Sequence, residues 1–120
     1  MILVDTSVWI DHLHESIPEL VDALSQALVL HHPMVIGELS LGTLRDREEF
    51  LSLLANLPTS PVATHDEVAH FVESNKWYGQ GLSLVDAHLL ASVVLAQDAR
   101  LWTRDKRLRA AAVELGVAHR

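Results

Sequence analysis

Apolar positions along this chain of 120 residues fall into two patterns, short unbroken runs and rows spaced three or four apart. Ile2, Leu3 and Val4 make the first run, so Met1–Val4 reads as a buried strand, and the row through Ile10 and Leu13 predicts a short helix after it. Ser16, with Glu19 three residues on and Pro18 in the first turn, predicts a helix start with Leu20, Leu24 and Leu28 inward. Leu28, Val29 and Leu30 then have strand character. Pro33 opens a helix through Glu38 and Leu41 that stops near Gly42, and Phe50, Leu53, Leu54 and Leu57 mark another, ended by the turn between Pro58 and Pro61.

Val62 and Ala63 read as a short strand, after which Thr64 and Glu67 have capping-box spacing ahead of Val68, Phe71 and Val72. Gly79 and Gly81 break the chain again. Ser83 and Asp86 repeat the box spacing ahead of Val85, Leu89 and Val93, with Leu90 and Val94 beside them. Leu101, Trp102 and Thr103 predict a strand, and Asp105 opens a helix carrying Leu108, Ala112 and Leu115 that Gly116 closes. Val117 and Ala118 are left for an edge strand. Strands alternating with helices predict right-handed crossovers. The expected fold is α/β: an α/β/α sandwich around a central, mostly parallel sheet of about four to five strands. No repeat, low-complexity tract or long linker interrupts residues 1–120, which are expected to form a single domain.

Composition adds boundaries. With 49% hydrophobic residues, 4 Pro and 5 Gly, the chain can form a substantial core. The longest uncharged apolar runs, such as Leu89 to Ala96, fall far short of the roughly 20 residues of a membrane span. No basic, apolar leader precedes Asp5, so a soluble, cytoplasmic protein is expected. The absence of Cys excludes disulfides and thiolate metal sites. Net charge is −7, yet residues 100–120 hold six basic residues against Asp105 and Glu114. Arg104, Lys106, Arg107 and Arg109 are therefore either a solvated helix face or a phosphate-contacting strip.

The candidate chemistry lies in Asp5, Glu38, Asp86 and Asp105. Each has an ordinary alternative: Asp5 and Asp105 as helix caps, Asp86 as the acid of a capping box, Glu38 as a solvated helical side chain. Together they point elsewhere. Asp5 and Asp105 follow two strands at the same sheet edge, where open parallel sheets bind ligands, and Asp86 starts the helix that leads into the second of those strands. Crowded carboxylates cannot all stay ionised without a cation, and oxygen-only ligands suit Mg²⁺ or Mn²⁺ over Zn²⁺. The eight His residues show no helical metal spacing: His12 and His14 are two apart, His31 and His32 adjacent, and His88 is turned about 200° from Asp86. Trp77 and Tyr78 suit a core pair better than a base-stacking platform.

Four segments in order, Ile2 to Ile10, Val35 to Leu39, Val85 to Ala91 and Leu101 to Asp105, resemble the PIN-domain ribonucleases, and more narrowly the toxins of VapBC-type toxin–antitoxin pairs. The resemblance spans essentially the whole chain. It implies an Mg²⁺- or Mn²⁺-dependent endoribonuclease that inhibits translation by cutting structured RNA, transfer or ribosomal, leaving a 5′-phosphate and a 3′-hydroxyl. It implies Asp5, Glu38, Asp86 and Asp105 as the catalytic and metal-binding acids, with Ser7 and Thr103 as supporting hydroxyls. It further implies a homodimer and a cognate VapB-type antitoxin laid over the acidic groove near Trp9, Ile10 and Leu13. Two rivals stand beside it. A receiver-like phosphotransfer domain needs an acidic pair at the first strand, which this chain lacks; a catalytically silent PIN-like binding module would keep the fold and use the acids as caps.

Overall fold

A computed structural model describes all 120 residues, arranged as three strands and seven helices. Strand β1 (Ile2–Val4) is central in a parallel sheet of order β2-β1-β3, flanked by β2 (Val29–Leu30) and β3 (Arg100–Trp102). Each strand is a short apolar run because a parallel sheet covered by helices buries both faces. Leu3, Val4, Val29 and Leu101 are all essentially inaccessible. One further residue pairs in parallel at each edge, Thr59 with His31 and Ala118 with Leu101. The sheet thus has five chain positions side by side, the outer two reduced to single bridges.

The helices are α1 (Thr6–His14), α2 (Pro18–Ser25), α3 (Pro33–Ser40), α4 (Arg47–Ala55), α5 (His65–Asn75), α6 (Leu84–Ala96) and α7 (Lys106–Glu114). Helix α3 packs between α1 and α4, while α5 packs on α6 and α6 and α7 lie against β3. Helix α6 is buried without interruption from Ala87 to Val93, which explains its apolar residues on every side. Both anticipated capping boxes form, Thr64 with Glu67 and Ser83 with Asp86.

Four local expectations are corrected. Ser16 does not cap α2: Pro18 takes the first helical position, which makes Ile17 the extended N-cap, and the Ile17 N–H is held instead by His12 Nδ1 at 3.0 Å. Leu28 is not on the face of α2, because Ala27 at φ 57 reverses the chain and the Leu28 carbonyl accepts the Ile2 N–H at 2.7 Å. Leu53 is 59% exposed; Leu54 carries α4's burial. Val62 and Ala63 form no strand, the pairing occurring earlier at Thr59, where flanking Pro58 and Pro61 supply no N–H and confine it to one bridge.

Candidate active site

The register fixes the first two acids. Val4 pairs with Trp102, so Asp5 and Thr103 leave the sheet side by side, and the Asp5 N–H bonds the Trp102 carbonyl at 2.9 Å. Connections from β1 and to β3 lie on opposite sides of this point, the crevice where doubly wound sheets bind ligands. Asp5 occupies the N-cap position of α1 but makes no capping bond, and it is only 6% exposed. Its Oδ2 accepts instead from Ser7 Oγ at 2.8 Å and from Thr103 Oγ1 at 2.7 Å.

Those hydroxyls have further partners. Thr103 Oγ1 accepts the Asp105 N–H at 3.0 Å, Ser7 Oγ accepts the Arg104 N–H at 3.0 Å, and the two hydroxyl oxygens stand 3.4 Å apart. One network therefore joins the ends of β1 and β3. Asp105 caps α7, its Oδ1 accepting the Leu108 N–H at 2.9 Å, and Asp86 closes its box with Oδ2 on the Ser83 N–H at 2.9 Å. Glu38 on α3 reaches the same corner, Thr6 Oγ1 donating to its Oε1 at 2.8 Å. Each acid is thus anchored through one oxygen and leaves the other without a protein partner: Asp5 Oδ1, Asp86 Oδ1, Asp105 Oδ2 and Glu38 Oε2.

Burial pushes the Asp86 carboxyl above its usual range. Its bonds with Ser83 oppose that shift, and the charges of Asp5 and Asp105 add to it. Asp5 and Asp105 therefore both lie within electrostatic reach of Asp86, a crowding of charge that a divalent cation relieves. No three side chains close into a ready-made cage for an ion. The donors at hand are all carboxylate and hydroxyl oxygens, which fit a hard cation such as Mg²⁺ or Mn²⁺. His88 is no part of the corner: it is buried on the other side of α6, where burial and then His65 lower its pKa.

Neighbouring residues depart from expectation. Trp9 is 4% exposed and packs edge-on to Phe50 and His12, so it is core; Ile10 and Leu13 do line a groove of ≈570 Å³ with Glu38, Leu39, Leu44 and Arg45. Trp77 is core, stacked on Phe71, but Tyr78, read with it as a core pair, is 59% exposed. The basic residues differ in what they touch. Arg104 pairs with Asp11 at 3.4 Å, the Arg107 guanidinium packs where a Cβ on Gly81 would stand, and Arg109 donates to the His119 carbonyl at 3.2 Å. Lys106 is exposed in the first turn of α7. Sequence reasoning missed Thr6, legible only as a hydroxyl beside Asp5, and Arg100, whose exposure at the start of a strand was not foreseen.

Comparison with known proteins gives the family. The sequence model of the PIN domain family matches residues 2–114. The chain is 55% identical over 118 residues to Ribonuclease VapC32 of Mycobacterium tuberculosis strain CDC 1551 / Oshkosh, covering 98% of this chain and 95% of that protein. It is equally similar, 55% over the same span, to Ribonuclease VapC32 of strain ATCC 25618 / H37Rv.

Proposed function

The chain belongs to the PIN domain family, and from that premise we propose that it is a divalent-metal endoribonuclease, the toxin of a VapBC-type pair. The observation that carries this reading is Asp5, a buried carboxylate that caps nothing, accepts from two hydroxyls, and acts through its charge on Asp86, as does Asp105. Asp5, Asp86 and Asp105 would hold Mg²⁺ or Mn²⁺ through their unpartnered oxygens, with Glu38 holding a second ion or orienting the nucleophile. The bound ion supplies an activated water and charge stabilisation for in-line displacement at phosphorus. Ser7 and Thr103 keep Asp5 aimed, and Thr6 holds Glu38 in place. The RNA would be a structured one, transfer or ribosomal, and its cleavage would stop translation.

The groove beside Glu38 is the proposed seat of a VapB-type antitoxin. Ile10 and Leu13 are 44% and 46% exposed there, suiting the apolar face of an amphipathic segment whose basic side chain reaches the acids. A homodimer is part of the same proposal, and light scattering of the purified chain would read it. The silent-module reading draws support from the capping duties of Asp86 and Asp105 and from the absence of a closed ligand cage. Purified, antitoxin-free protein incubated with total RNA, with and without EDTA, separates the two when the new 5′ ends are mapped. We expect metal-dependent cuts bearing 5′-phosphates; no metal-dependent cut in any RNA would overturn the enzyme reading.

A further inference from the structure

The arginine missed in the sequence opens a second site. Arg100, at the first residue of β3, donates Nη1 to the Gly116 carbonyl at 2.7 Å, and Arg109 donates Nη1 to the His119 carbonyl at 3.2 Å. With Ala118 and Arg120 these residues line a pocket of ≈350 Å³. It is lined in part by Arg109 and Val113 of α7, shares no residue with the groove beside Glu38 or with the acidic corner, and takes in Arg100 from the end of β3 opposite Thr103. Their partners decide its character. A carbonyl fixes a guanidinium in place without cancelling its charge, and neither Arg100 nor Arg109 pairs with a carboxylate. Glu19, which reaches the lining residue His119, is already taken by its Nε2 at 2.9 Å. Each guanidinium has spent one of its five N–H donors, so the pocket presents two held cations with donors to spare. A phosphate oxyanion is what that combination recognises best.

Location narrows the source of the phosphate. Helix α7 begins just after Asp105, and Arg109 stands four residues further, about 6 Å along the axis at 1.5 Å per residue. An RNA strand whose scissile bond sits at the acids and which continues along α7 carries a later phosphate over this pocket. We propose that the pocket holding Arg100 and Arg109 binds a backbone phosphate of the RNA substrate outside the scissile position. This extends the nuclease reading and depends on it. It also accounts for how an acidic protein holds a polyanion, since local potential governs the encounter.

The test uses the full chain carrying Asp5→Asn, so that RNA is bound and not cut, with a fluorescein-labelled RNA titrated across a range of salt. Removing both cations as Arg100→Gln/Arg109→Gln should lower the slope of log affinity against log salt by about 0.7, the value for one lost phosphate contact on a single strand, and weaken binding roughly fourfold at physiological salt. Arg100→Lys/Arg109→Lys should restore most of the slope, which a merely structural role for the arginines would not do. Circular dichroism confirms that each variant is folded. An unchanged slope in the Gln variant, while the parent binds RNA, overturns this site and leaves the nuclease reading intact. So does a thermal midpoint raised by inorganic phosphate in the parent alone with no change in the RNA slope, which would mark a free-phosphate pocket. No RNA binding by the parent overturns both readings.

Discussion

Asp5 is where the claim is sharpest. Replacing it with Asn keeps an oxygen to accept from Ser7 and Thr103 and removes a buried charge, so the fold should stand with stability within about 1 kcal/mol. RNA cleavage should fall on the order of 10²-fold or more, because a ligand to the ion stabilises charge in the transition state. Denaturant melts beside cleavage rates check both halves. Thr103→Val should behave differently. It leaves the Asp105 N–H without its acceptor and Asp5 with one donor, costing about 1–3 kcal/mol of stability as well as activity. The special status of Asp5 was legible from its place after an apolar run. The 98-residue separation between Thr103 and Asp5 hid their bond, since only the strand register brings them together.

The Thr64 and Ser83 boxes were readable because their partners are three residues apart, whereas the Thr59 bridge was not, because pairing with His31 is a matter of distant register. Helix α3 shows a cap that spacing did not reveal: His32 Nδ1 accepts the Met34 N–H at 3.0 Å, which requires an unprotonated ring. The ring is fully buried, and burial first, then His88 and His31, lowers its pKa from 6.5 to about 4. The unfolded chain gains a proton below pH 6.5 that the folded chain refuses, so this contribution is complete above that pH and lost as pH falls toward 4. The loss should approach about 3 kcal/mol in urea melts, and His32→Asn, which retains a capping acceptor, should flatten the dependence. An equal slope in wild type and variant would contradict it. Because α3 carries Glu38, Thr6→Val should lower activity roughly 10- to 100-fold with little change in stability, checked by kinetics and melting of the same preparation.

Across the whole molecule, the acids arrive from α3, α6 and the ends of β1 and β3, so the chain must be folded before their charges meet. Sequence order displayed the four positions and the alternation that implies a parallel sheet. It did not show the division of the basic residues, since Arg104 turns to Asp11 on α1 and Arg109 toward the chain's last segment, a distinction of direction and not of spacing. Mutual repulsion at the corner means that a divalent ion should raise the thermal midpoint, by about 2.7 kcal/mol of stability at a hundredfold excess over its Kd. The most direct measurement is a Mn²⁺ titration of the purified protein followed by electron paramagnetic resonance, alongside Asp5→Asn of unchanged circular dichroism. Our account predicts bound Mn²⁺ in the wild type, displaced by Mg²⁺ and abolished in the variant. Mn²⁺ that fails to bind, or binds equally to both, would contradict it.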